Sequence, residues 1–434
     1  MTSRPHAFSW ALCLAAAVCG LVPLALTGCG DDRGAAPASP TPLSSSSPPR
    51  PADGAWTPRL VLTPSEIDEI RAHLDAGDEP WASAWRVFLD ERVDASFDDA
   101  PSVARGPYRG GGDIHDAFRA LDGDSRDARD FGIAYALSGD RRYARRARDV
   151  LVAWATGSTP TRLRDHDSPD TGQLQSWGAF SFAYAYDLTR ASGVYARDDA
   201  RRVEAYFARF TIALREALGQ VASDPLVGTD ERRPYEWTDR LTYRLEDRII
   251  GGDFCLAIET ALVALATETE DEATLRRVLT DPGNPLRADR AVAHALRPDN
   301  DGDGRGTRPV PEVLIMKMYS PERGGTVDYM TYNARLATLL CEVAASVDPG
   351  LGRSARPRLT ESWLYLSRFF GDGAARSPNP ADKIDAVACL PRFVPAYRAV
   401  RDPRLFDVAA SGHEARYYEP QFLGPVTLTH WWAR

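Results

Sequence analysis

Residues 321–334 read PERGGTVDYMTYNA. One guanidinium, Arg323, stands beside Gly324 and Gly325, and two phenols, Tyr329 and Tyr332, follow. A tyrosine can give or take a proton, although its free pKa is about 10. A nearby guanidinium favours the phenolate and so helps it act as a base. The same guanidinium can neutralise a bound anion. The chemistry on offer is proton transfer beside a negatively charged ligand. A plain turn, with both tyrosines packed against a helical wall, uses the same residues.

A second stretch suggests metal binding. Residues 299–304, DNDGDG, place Asp299, Asp301 and Asp303 at alternate positions before Gly304. That is how a calcium loop opens, but such a loop closes on a bidentate glutamate at its twelfth position. Val310 stands there, and Glu312 comes too late. The stretch is read either as a structural Ca²⁺ loop or as a solvated acidic insertion. Other chemistries lack their motifs. There is no G-x-S-x-G elbow and no glycine-rich nucleotide loop. His413-Glu414 is followed by Tyr417 where a zinc protease needs histidine.

The elements that must position these residues begin after an export signal. Arg4, an apolar run to Leu26 and then Leu26-Thr27-Gly28-Cys29 form a secretion signal with a lipobox-like end, making Cys29 the expected lipidation site. Residues 1–28 are read as a lipoprotein signal peptide. Residues 29–55, rich in Ser and Pro, are read as a disordered tether. The formal net charge is -9, and the loss of Arg4 with the signal takes it to -10. That excludes a basic nucleic-acid binder. Cys255, Cys341 and Cys389 are the cysteines beyond Cys29, too few and too scattered for a disulfide framework. Lysine occurs only at Lys317 and Lys383, so nearly every cation is a carboxylate-matching guanidinium.

The remaining chain, 56–434, reads as one all-α domain. Thr63-Pro64-Ser65-Glu66 has the form of a capping box that opens a helix. Residues 127–155 give an apolar helix, a Ser-Gly-Asp turn and an amphipathic helix. The same pattern recurs from 181, 257, 334 and 393. Repeated hairpins with one member apolar nearly all round predict an inner and an outer ring of helices. The expected architecture is an incomplete (α/α) toroid or barrel. The short pieces RLVLT (59–63) and PVTLT (425–429) read as minor peripheral strands.

The segments PRLVLTPSEIDEIR, DFGIAYALSGDRRYARRARDVLVAWA, QLQSWGAFSFAYAYDL and AYRAVRDPRLFDVAA, in that order, resemble the alginate lyase domain family of bacterial secreted and periplasmic proteins. The resemblance implies an α/α toroid and cleavage of uronate polysaccharides by β-elimination, with no organic cofactor required. It matches Arg323-Gly324 and Tyr329-x-x-Tyr332 to the family's Arg-Gly and Tyr-x-x-Tyr. It thereby implies that Arg323 neutralises the substrate carboxylate and Tyr329 transfers the proton. Tyr332, one turn on, would line the cleft or take over that role. Gln175 and Trp177, in QLQSW, would form a sugar subsite, unless the indole is a core residue. The family's Asn-Asn-His falls on Gly251-Gly252-Asp253. Asp253 is therefore either a base or a helix cap. Glu246, Asp247, Arg248 and His166 are further candidates, Arg248 and His166 for substrate binding.

The reading is therefore a monomeric polysaccharide lyase for an acidic, alginate-like polymer. It would be exported across the inner membrane and held as a periplasmic or outer-membrane lipoprotein through Cys29. Two alternatives stay open: an inverting glycoside hydrolase on the same scaffold, with paired carboxylates such as Asp253 and Asp247, and a glycan-binding lipoprotein that has lost catalysis. The missing histidine sustains the second.

Overall fold

Thr63 opens the first helix, α1 (Pro64–Ala76), through the reciprocal bonds of a capping box: the Thr63 N–H donates to Glu66 Oε2 at 2.8 Å, and the Glu66 N–H donates to Thr63 Oγ1 at 3.4 Å. This is a computed structural model. It describes residues 57–103, 111–160, 170–223, 253–284, 286–296, 326–371, 374–375, 384, 389–411, 418–419 and 421–431. The chain divides into Met1–Ser44 and Ser45–Arg434, and every described residue belongs to the second unit.

After α1 and α2 (Trp81–Phe88), helices come in pairs. The first pair is α3 (Gly111–Ser138) and α4 (Arg141–Gly157). The second is α5 (Asp170–Thr189) and α6 (Arg197–Ser223), and the third α7 (Asp253–Thr269) and α8 (Glu272–Leu279). A short α9 (Ala288–Ala295) precedes α10 (Thr326–Ala344) and α11 (Pro349–Ser367). Then come α12 (Phe393–Val400), α13 (Pro403–Ser411) and α14 (Val426–His430). The turns carry the expected chemistry. Asp140, Asp271 and Asp348 cap α4, α8 and α11 by accepting backbone N–H bonds. All five hairpins expected from the sequence form.

The first members, α3, α5, α7, α10 and α12, pack each against the next and form the inner row. They run parallel. Gly178 of α5 faces Leu121 of α3, and Gly132 of α3 faces Ala185 of α5, so residue numbers rise together. Gly172 of α5 faces Ile258, while Arg190, just past α5, donates to the Glu268 carbonyl at 3.1 Å. Arg392 and Arg398, before and within α12, bond Asp328 and Glu342 of α10 in the same order. The Phe422 ring lies 5.2 Å from Phe180 of α5 and 4.6 Å from the Arg335 guanidinium of α10, and Tyr184, one turn past Phe180, lies in the field of Glu342. The N-terminal ends of α3, α5, α7 and α10 therefore share one end of the fold.

The two expected strands are not strands. Residues 59–63 form no strand: the chain bends at Leu60 and Val61, and Leu60, Val61 and Leu62 are buried. The Asp187 carboxylate accepts the Arg59 and Leu60 N–H groups at 3.0 Å, doing what a neighbouring strand would do. Residues 426–430 are helical and buried. Among the described residues, the one β-bridge joins Glu419 to Gly424.

Candidate active site

Helix α10 carries both candidate tyrosines in its first two turns. Around Tyr332 the geometry is well defined. Arg392 Nη1 donates to the Asp328 carbonyl at 2.7 Å, to Asp328 Oδ1 at 2.6 Å and to Thr331 Oγ1 at 2.8 Å. The Arg392 guanidinium lies 5.5 Å from the Tyr332 ring centre, and the Arg335 guanidinium lies 5.8 Å from it. Tyr332 is thus a nearly buried ring close to two cations, and only 6% of its surface is exposed.

Arg335 is itself fully buried and pairs with Glu419 of the C-terminal segment. Glu419 also accepts the Phe422 and Leu423 N–H groups, each at 2.9 Å. Burial alone would raise this carboxyl. The Arg335 charge and the two N–H groups outweigh burial and hold it below the usual carboxylate range. Alongside, Arg129 Nε donates to Asp130 Oδ1 at 3.0 Å, and Tyr418 hydrogen-bonds both residues. Arg92 lies 4.2 Å over the Tyr418 ring. Burial pushes the Tyr418 phenol up, so it stays protonated and donates to Asp130. Residues 418–419 and 421–424 therefore bring charge partners from α3 and α10 together beside α5.

Of the sequence-predicted residues, Tyr329 lies on α10 one turn before Tyr332, and Asp253 is the first residue of α7. The structure describes the backbone of both but not their side chains. Trp177 lies on α5, half-buried, with its ring 5.5 Å from Phe118. Its Nε1 is buried and has no hydrogen-bond partner among the described residues. Gln175 is half-buried on the same helix. Arg323, Arg248, His166, Cys29, Asp299, Asp301 and Asp303 lie outside the described residues. Topology brings Tyr329, Tyr332, Asp253, Gln175 and Trp177 to the N-terminal parts of parallel inner helices.

Arg335, Arg392, Asp328 and Glu419 escape a reading of motifs. Arg335 left one signal: it is a lone cation inside the run NARLATLLCEVAA, where a helix apolar nearly all round needs a reason to bury a charge. Arg392 and Glu419 left none, because their partners are distant in sequence. His73 stacks on Trp81 at 4.0 Å, and His430 is buried beside Glu342, so both are packing residues.

A comparison with solved structures decides the fold. An alginate lyase from Bacteroides ovatus superposes with a TM-score of 0.58 at 14% identity, over 86% of this chain and 99% of that one. The fold is alginate lyase-like. Alginate lyase A1-III from Sphingomonas species A1 gives 0.50 at 13% identity, over 88% of this chain and 98% of that one. A tyrosine-to-phenylalanine variant of A1-III, complexed with a tetrasaccharide, gives 0.53 at 14% identity over 86% and 98%. No family model matches the chain, and no curated protein matches it by sequence. The alginate lyase-like scaffold is thus shared over nearly the whole of each neighbour, with little sequence in common.

Proposed function

We propose that this protein is a polysaccharide lyase that cleaves a uronate-containing, alginate-like polymer by β-elimination. The observation that carries this reading is the convergence of four inner-helix N-termini, with two tyrosines on one of them, on an alginate lyase-like scaffold. Each helix N-terminus carries roughly half a positive charge. Four at one end favour an anionic ligand despite the acidic net charge of the chain. A related scaffold holds a tetrasaccharide in its solved complex.

The elimination needs three things. A base removes the proton on the carbon next to the substrate carboxylate. A cation or donor neutralises that carboxylate as charge builds on it. An acid returns a proton to the departing glycosidic oxygen as its bond to carbon breaks. The electron pair left by the proton becomes the new double bond, so nothing is oxidised or reduced and no organic cofactor is needed. In this reading Arg323 neutralises, and Tyr329 moves the proton with Tyr332 beside it. Gln175 and Trp177 bind a neighbouring sugar. Asp253 serves as cap or auxiliary base, and Arg248 and His166 line the substrate path. Lipidation at Cys29 and the tether 29–55 would hold the enzyme at the cell envelope. Asp299, Asp301 and Asp303 would hold a structural Ca²⁺.

One observation favours a second reading. Gly251-Gly252-Asp253 stands where the resembling family carries Asn-Asn-His, which fits a glycan binder without turnover. The test is ultraviolet absorbance of the new conjugated double bond, with residues 30–434 and a panel of polyuronates. A rise with wild type, absent from Tyr329→Phe, supports the lyase reading. New reducing ends without absorbance mean a hydrolase, and binding with neither means a glycan-binding protein.

A further inference from the structure

We propose that Arg392 is a positioning residue that clamps the first turns of α10 and thereby fixes the tyrosines that move the proton. The inference rests on the lyase reading for its catalytic consequence and on geometry for the clamp itself.

The first turn of a helix is where its hydrogen bonding is weakest, because its leading N–H groups have no intrahelical partner and its side chains lack a preceding turn to pack on. Proton transfer, however, needs reacting groups held close to one geometry. Helix α10 places Tyr329 and Tyr332 in that first part. Arg392 comes from another element, the turn leading into α12. Its Nη1 reaches three acceptors on α10: the Asp328 carbonyl, the Asp328 carboxylate and the Thr331 hydroxyl. Asp328 and Thr331 flank position 329 and precede Tyr332, so the three bonds span the segment that must not fray.

The same guanidinium lies against the Tyr332 ring, and Arg335 lies against it from α10 itself. Arg335 cannot swing away, because Glu419 holds it and the Phe422 ring covers it. Tyr332 therefore has two cations beside its ring, one fixed within α10 and one tying it to another element. The Arg392 side chain keeps 13% of its surface exposed, and it bonds the N-terminal end of α10, the end that the inner helices share.

The chemistry of one nitrogen serving three acceptors gives a sharp test. Arg392 Nη1 has two N–H groups, so one is shared between acceptors, whereas a lysine ammonium presents three donors at one point. Arg392→Lys should retain kcat within about 3-fold if positioning is the role. Arg392→Met should lose about 100-fold in kcat, the size expected of a roughly 1 Å misplacement, with KM changed less than about 3-fold. A rise in KM in both variants, with kcat kept, would mean direct substrate contact and would overturn the proposal. Unchanged kinetics in Arg392→Met would overturn it too.

Amide hydrogen exchange, measured without substrate, separates this idea from the lyase reading. The clamp predicts faster exchange in residues 328–332 of Arg392→Met, restored in Arg392→Lys, with the far half of α10 unchanged. If wild type eliminates nothing but exchange responds in this way, the lyase reading fails and the clamp stands. If exchange does not respond, the clamp fails whatever the activity.

Discussion

Glu259 is a carboxyl on the inner helix α7 with no exposed surface. Its neighbour is the buried Cys255 thiol one turn earlier on the same helix, a weak donor, and no cation faces it among the causes of its shift. Burial raises its pKa well above the usual value, so it is neutral in the folded protein. In the unfolded chain it ionises above about pH 4.3. The folded state then binds the extra proton, and stability falls as pH rises beyond that point. Glu259→Gln removes the titration and nearly keeps the shape. Its urea midpoint should equal that of wild type near pH 4 and exceed it near pH 8. A variant no more stable than wild type at pH 8 would mean that the carboxyl finds an unseen partner. Tyr332 shows the opposite arrangement, a polar residue enclosed by fixed charge. It was legible as a candidate because tyrosine and glycine make a visible motif. Its two arginines were not, since a cation is informative only once its neighbours are known.

At the scale of elements, the inner row depends on close approach. Gly178 of α5 sits where an added Cβ would lie 2.5 Å from Leu121 Cγ of α3. Gly178→Ala gains about 1 kcal/mol of helix propensity. Overpacking costs about 1–3 kcal/mol, and Leu121 is buried with little room to turn. The cost should win, so the variant should melt earlier than wild type in a calorimetric scan. Hairpins were legible in the sequence because an inner helix is apolar all round and each turn carries an aspartate cap or a glycine. The two strand expectations failed for identifiable reasons. RLVLT is a short apolar run of the kind a buried strand carries, but a side chain, Asp187, supplies the acceptors a partner strand would offer. PVTLT has β-branched residues, yet Pro425 starts a buried helical turn in which packing outweighs propensity.

Across the whole folded unit, the order of helices along the chain does not by itself join its two ends. The joining is electrostatic. Segment 418–431 ties α10 through Arg335 and Glu342, and α3 through Arg129 and Asp130. Arg398 of α12 reaches back to Glu66 of α1. Removing one partner of such a buried pair leaves an uncompensated charge, at about 3–5 kcal/mol. Glu419→Gln should lose stability of that order at pH 7 by urea unfolding. The Glu419 carboxyl is held below its usual range, so its contribution is complete above about pH 4.3 and is lost as pH falls from there through its lower folded-state pKa. The gap between wild type and variant should therefore narrow in acid. A gap independent of pH would place the effect in packing rather than charge.

The same closure sets an order of events in biosynthesis. Arg129 finds Tyr418 only 289 residues later in the chain, and Arg335 finds Glu419 84 residues later. A ribosome that has released α10 has made an apolar helix carrying Arg335 before the carboxylate that pairs with it, and α3 before the phenol that bridges Arg129 and Asp130. Contacts so far apart close slowly and late. The growing chain thus lacks its final interior until almost the last described residue is made. A chain of this design makes the partners of its buried arginines last, so its interior can close only after nearly the whole folded unit has been made.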